Sequence, residues 1–288
     1  MTTVIQPGSR NEANPKHPAA TFVVSRGLVL LRQVIGVMRN AAPAVLVAML
    51  VLIGWELISR LSGISRVILP APSVIIGVAS RRFGFLLDQA VPTTLQTLAG
   101  FFLSVVFGGL LGVLMTYQRL AHDALYPNVI LFQLVPKVAV APLFMLWFGI
   151  GWEARVAVSM FIGFFPIVIS TVTGLSAADP TLLRLFRSLT ATPMQIFLKV
   201  SLPSSLPFVF NGMKVSITLA IIGVIVAEFI TSQEGLGYVI LFAGSRMDTP
   251  MVMAAISMLC FIGLTLYGLV ALAERIILAH YGTLRNPF

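Results

Sequence analysis

Three ionisable residues stand inside long apolar runs of this 288-residue chain: Lys137, Lys214 and Glu228. A charge at membrane depth is costly and by default marks a functional position. Lys137 lies between Pro136 and Pro142, where a helix must break and the freed carbonyls need partners or water. A lysine there can line an anion pathway or satisfy those carbonyls. Lys214 and Glu228 fall on one predicted span and on roughly one helical face, but about 21 Å apart along it, so they cannot pair with each other. Glu228, close to the outer end, reads as an interhelical or gate-region partner rather than a substrate ligand. Nothing else has the look of a reaction centre. His17, His122 and His280 lie in polar ends or loops, and no carboxylate pair or metal-ligand cluster sits within a span. Without such groups acid–base, nucleophilic or metal chemistry has no seat. None of Lys16, Lys137, Lys199 and Lys214 follows a glycine, so there is no Walker A loop. The single cysteine, Cys260, permits no internal disulfide. The chain reads as a non-enzyme without cofactor or metal, and any ATP-driven step must come from a partner.

The elements that hold these residues are membrane spans. The chain is 58% hydrophobic and 10% charged, with mean hydropathy +0.97, against about 25% charged in a soluble domain. Its net charge of +9 sits in loops between apolar runs, where it sets topology rather than binding nucleic acid. Residues 1–40 read as a polar cytoplasmic tail followed by an interfacial helix at Phe22–Met38, because Arg26 and Arg32 interrupt any run near the ~20 residues a span needs. Residues 41–288 form the transmembrane part. Its spans are expected at about Ala42–Ile58, Thr93–Tyr117, Leu125–Phe148, Arg155–Gly174, Phe208–Ile230 and Pro250–Ala273. The fold class is therefore an all-α membrane bundle of about six helices. Residues 59–91 read as a loop, with Ser73 capping a short helix through Val78. Ser104, Gly108 and Gly112 recur every four residues, the spacing that lets helices pack closely in lipid. Loop cations favour both termini inside, although Arg60, Arg66, Arg81 and Arg82 in the 59–91 loop argue the other way.

Between the fourth and fifth spans, Asp179–Pro207 cannot be buried in lipid, because it carries Arg184, Arg187 and Lys199. It reads as two short helices. Asp179 caps the first with Pro180 at its first position, and Leu182, Leu185, Phe186 and Leu189 form one apolar stripe. Thr192, Pro193 and Gln195 start the second with a capping box; Ile196, Phe197 and Val200 form its apolar face, and Pro203 and Pro207 close it. Because Thr192–Pro193 supplies its own helix start, the turn between the helices is expected to need no positive φ at Thr190. Ser232–Tyr238 reads as an outer loop whose two glycines permit a tight turn.

This elbow resembles the coupling loop of ABC importer permeases. Arg184-Leu185-Phe186 stands at that family's E-A-A, Thr190 at its glycine, and Val200-Ser201-Leu202-Pro203 at its I-x-L-P. The flanks, including VPKVAVAPLFMLWFG and GLGYVI, are similar to the nitrate/sulfonate/bicarbonate (taurine-type) group, over roughly Thr93–Ala273. The resemblance implies a type I importer permease in a bacterial inner membrane, working as a homodimer in the lipid bilayer. Its partners would be a cytoplasmic ATP-binding subunit and an extracytoplasmic solute-binding protein. The ATPase contact would fall on Arg184, Phe186, Leu189, Thr190, Ala191 and Gln195. The solute would be small and anionic or polar, nitrate-, sulfonate- or bicarbonate-like or a pyrimidine precursor. The alternative, a self-contained secondary transporter or channel, would need ion-coordinating acids at mid-depth, and the later spans offer only Glu228 near one end.

Overall fold

The computed structural model describes residues 43, 45–231 and 233–281. The expected tail and interfacial helix, the start of the first expected span and Ser232 of the expected outer loop lie outside them. The chain divides into Met1–Leu61 and Ser62–Phe288. Within the first unit, residues 45–61 form helix α1, whose valines and leucines are exposed. Arg60 Nε pairs with Glu56 Oε1 at 2.5 Å, one turn away.

After the irregular residues 62–71, the described residues of the second unit fold into helices joined by short turns. In order it contains α2 (Pro72–Arg81), α3 (Phe83–Tyr117), α4 (Arg119–Leu134), α5 (Lys137–Phe148), α6 (Trp152–Ser176), α7 (Pro180–Ser188) and α8 (Pro193–Ile196). A π turn (Phe197–Ser201) then leads into α9 (Leu202–Thr231), followed by α10 (Leu236–Ser245) and α11 (Thr249–His280). Four stretches, α3, Pro193–Ile230, α6 and α11, are long and apolar enough to cross a membrane. The third expected span is a pair, α4 and α5, bent by 103° and making a fifth crossing if taken as one. The bend falls at Val135, held extended at φ −65°, ψ 130° because the ring of Pro136 disfavours the helical region for the residue before it.

Three boundaries depart from the sequence reading. The second span starts at Phe83, ten residues ahead of the expected Thr93, and runs through Pro92. Burial of Leu86 and Ala90 holds the extra turns, since packing overrides the local proline signal. Helix α2 starts at Pro72 with Ala71, not Ser73, in the cap position, so Ser73 lies inside the helix. The expected outer loop becomes a helix from Leu236.

Helix α6 is the centre of the bundle, with α3 on one side and α9 on the other. The small-residue seam extends beyond its expected members. A Cβ on Gly100 would fall 2.3 Å from Ser159 Oγ, one on Gly108 would fall 3.0 Å from Ile167 Cβ, and one on Gly112 would fall 2.6 Å from Thr171 Cβ. The pairing rises in step along both helices, so α3 and α6 run parallel. Gly163 meets Ser216 and Gly223 meets Ser159, placing α9 antiparallel to α6. Hydroxyls stitch the seam: Ser104 Oγ donates to Met160 O at 2.8 Å, Ser159 Oγ to Ala220 O at 3.0 Å and Ser216 Oγ to Gly163 O at 2.7 Å. In lipid, this close packing and interhelical hydrogen bonding replace the hydrophobic effect as the source of association.

Candidate functional site: a protruding elbow and a buried carboxyl at the two ends of one helix

Helix α7 begins as its sequence dictates, with Asp179 Oδ1 accepting from Thr181 N–H at 2.7 Å and Pro180 in the first turn. Its other end corrects the sequence reading. Thr190 adopts φ +56°, in the left-handed region that the turn was expected not to need. Thr190 N–H donates to Arg187 O at 3.1 Å and Ala191 N–H to Phe186 O at 3.0 Å. These two bonds are the Schellman closure, which places its left-handed residue where helices usually carry glycine. The closure wins because it satisfies carbonyls that a simple stop at Leu189 would leave open. A β-branched residue there is strained by about 1–2 kcal/mol.

The capping box at the next start is complete: Gln195 N–H donates to Thr192 Oγ1 at 3.3 Å, and Thr192 N–H to Gln195 Oε1 at 2.8 Å. The helix it opens does not close at Pro203 and Pro207 as expected. It passes through the π turn, where Leu202 N–H reaches back to Phe197 O, and continues as α9 with Pro207 inside it. A π turn widens the helix locally and takes up proline rings that would strike carbonyls in a regular α-turn. The second arm of the elbow is therefore the first part of a membrane helix. Its base is anchored by buried Val200 and Ser201 and by Phe197, edge-on to Tyr117 at the end of α3 with ring centroids 5.8 Å apart.

The elbow itself is uncovered. Helix α7 and α8 have no buried residue; Leu185 is 51% exposed, Leu189 66% and Met194 63%. Arg184, Thr190 and Gln195 are exposed as well, while Phe186 and Ala191 are half-buried.

Glu228, about 42 Å along the rod from Val200 at 1.5 Å per residue, is 1% exposed. Its Oε1 accepts from Thr93 Oγ1 at 2.7 Å, and its Oε2 from Gly237 N–H at 2.7 Å. Thr93 Oγ1 in turn accepts from Leu236 N–H at 2.9 Å, and Gln89 Oε1 accepts from Gly235 N–H at 2.7 Å. The first N–H groups of α10, which no side chain of α10 caps, are thus capped by α3 and α9. The glycines belong to this arrangement. Gly235 has φ +101°, and a Cβ on it would fall 2.2 Å from Glu228 Oε1. Nearby, Arg155 of α6, 7% exposed, pairs with Glu234 at 3.3 Å. Among the described residues the fully buried Gln96 amide has no hydrogen-bond partner on either its nitrogen or its oxygen.

The three ionisable residues at depth do not converge. Lys214 Nζ pairs with Glu274 Oε2 of α11 at 2.6 Å. Lys137, half-buried as the first residue of α5, places Nζ 5.2 Å from the centre of the Phe165 ring on α6. The sequence reading missed Gln89, Thr93, Gln96, Arg155, Glu234 and Glu274. The polar residues of α3, at 89, 93 and 96, recur at helical spacing just where the chain had been read as loop and span boundary, and that periodicity was the available signal.

Residues 104–278 match the family model for the binding-protein-dependent transport system inner membrane component. The formylaminopyrimidine transport permease protein ThiX of Halalkalibacterium halodurans is 34% identical, over 82% of this chain and 94% of its own. The riboflavin transport system permease protein RibX of Chloroflexus aurantiacus is 35% identical, over 80% and 86%. The putative aliphatic sulfonates transport permease protein SsuC of Bacillus subtilis is 31% identical, over 81% and 83%. Among solved structures, an inward-facing form of the MetNI methionine ABC transporter overlays with TM-score 0.58 at 22% identity, covering 70% of this chain and 98% of that one. That likeness shows a shared fold.

Proposed function

The chain belongs to the family of binding-protein-dependent transport system inner membrane components, the permeases of ABC importers, and on that premise we propose that its elbow docks on a separate ATP-binding subunit and drives α9. The observation that carries this reading is the uncovered apolar stripe of α7 and α8, with Leu185 and Leu189 more than half exposed at the tip of the bundle. Burying the exposed half to two-thirds of each against a partner groove is worth about 1–2 kcal/mol. Arg184, Phe186, Leu189, Thr190, Ala191 and Gln195 form the contact, Arg184 supplying charge and the strained turn at Thr190 its shape. Because the second arm of the elbow is continuous with α9, a displacement of the elbow is delivered to the membrane without a flexible joint.

In this reading two copies of the chain form the translocation pathway in a bacterial inner membrane, with the elbow and both termini cytoplasmic. A solute-binding protein delivers the solute to the opposite face. The solute is small and polar or anionic, within the range that the named relatives span. Lys137 is the ionisable residue at depth that we assign to the pathway. It stands at the α4–α5 corner with no carboxylate in ion-pair range among the described residues, whereas Glu228 and the Lys214–Glu274 pair tie helices together.

The test is co-purification of the ATP-binding subunit with the Leu185→Asp/Leu189→Asp chain. Loss of the subunit from a chain that still inserts and migrates as wild type is expected. Retention of the subunit at wild-type stoichiometry refutes the docking role.

A further inference from the structure

At the end of the bundle opposite the elbow, the last turn of α2 and the beginnings of α3 and α11 enclose a cavity of about 460 Å³ against α10. Three guanidiniums line it, those of Arg81, Arg82 and Arg246, together with the aromatic rings of Phe85, Tyr238 and Phe242. No carboxylate lies within ion-pair distance of any of the three among the described residues. The single acid in the wall, Asp248, is spent on capping α11, accepting from Met251 N–H at 3.2 Å.

Part of this charge has local employment. Arg81 Nε donates to Gly77 O at 3.1 Å, and Arg246 lies over the Phe242 ring at 4.1 Å. Arg82 has neither kind of tie among the described residues. One further feature adds positive potential: α3 begins at this cavity with no acidic residue in its first turn and no side-chain cap, and a helix N-terminus carries partial positive charge. On the orientation proposed above, these arginines also stand on the outer face, where a permease gains nothing in topology from cations.

We propose that this cavity binds a tetrahedral oxyanion, a phosphate or sulfonate group, carried on an apolar or aromatic body. Arg82 and Arg246 take the oxygens with their forked N–H donors, as guanidinium does for such groups. Phe85, Tyr238 and Phe242 take the body. Sitting where two membrane helices begin, the cavity can be reached by a lipid headgroup from the bilayer or by a free solute from water.

The test uses the full-length chain in nanodiscs. Phenyl phosphate is titrated into phosphatidylcholine discs, and retained phosphatidylglycerol is counted by native mass spectrometry after reconstitution in mixed discs. Arg82→Gln/Arg246→Gln should weaken binding of at least one probe about tenfold or more, the loss of two charge-assisted contacts, and added salt should weaken it in the wild type. An effect on phenyl phosphate identifies a free solute as the occupant, and an effect confined to phosphatidylglycerol identifies a lipid. Should the glutamine pair fail to fold, Arg82→Lys/Arg246→Lys keeps the charge and removes the fork, and weaker binding is still expected. Arginine-independent binding of both probes overturns the proposal. So does loss of binding-protein association alone, which would make the cavity a protein-docking face.

Discussion

Replacing Thr190 by glycine is expected to stabilise the elbow, the reverse of the usual cost of glycine. Thr190 sits at φ +56° in a Schellman closure, and the left-handed conformation costs a branched L-residue about 1–2 kcal/mol that glycine does not incur. Against this stands the extra freedom glycine gives the unfolded chain, about 0.4–1 kcal/mol. The bond from Thr190 Oγ1 to Leu189 O, 2.7 Å long, is exposed and adds little, since water replaces it. The difference leaves roughly 0.5–1 kcal/mol in favour of glycine, or exchange of the closing amides slowed roughly two- to fivefold. Hydrogen exchange at residues 190 and 191 reads this directly, because those two N–H groups make the closure. The order of protection should be Gly, then Asn, which tolerates the left-handed region, then Thr and Val. Faster or unchanged exchange in Thr190→Gly refutes the strain argument, and with it the reading that the turn is held open against its own residue preference.

Removing the carboxyl in Glu228→Ala strands the Gly237 N–H inside the bundle and leaves the Thr93 hydroxyl only the longer bond to Gln89 O, 3.4 Å. One unsatisfied group at about 1–3 kcal/mol should lower the melting temperature of the solubilised protein by a few degrees, with Glu228→Gln intermediate; a melting point within a degree of wild type refutes the cap. Lys214 and Glu274, each about one-fifth exposed at the side chain, should show a coupling of about 1–2 kcal/mol in a double-mutant cycle to alanine, given the screening that remains. A coupling near zero there means the pair holds nothing together. Lys137→Met should reduce uptake at limiting solute while leaving insertion intact, and unchanged uptake removes Lys137 from the pathway.

Several features could be read from the chain alone because their causes lie within a few residues. The starts of α7 and α8 follow from Asp179–Pro180 and from Thr192, Pro193 and Gln195, whose side chains bond to their own first turn. The break at Pro136 follows from one ring acting on the residue before it, and the long spans follow from hydropathy summed over a window. Where the reading failed, the deciding partner was out of sequence range. Pro203 and Pro207 are strong stop signals locally, yet the π turn at Phe197–Ser201 makes room for the first, Pro207 is carried inside α9, and anchoring of Val200 and Ser201 in the bundle favours continuity. Thr190 is poor in the left-handed region, yet closing α7 onto α8 demands that backbone there.

Glu228 shows the division most plainly. Its sequence position marks it as costly and places it near the end of a span, and that much is arithmetic on hydropathy. That it caps α10 through Gly237 and takes the Thr93 hydroxyl depends on how α3 and α9 are rotated about their axes. That rotation is set by the glycine and serine seam on α6, where each missing Cβ fixes one close approach. Local backbone chemistry was determined by the order of residues. Which buried polar group meets which was decided only when three helices packed, because contacts across helices depend on phase and register, and neither is a property of any one segment.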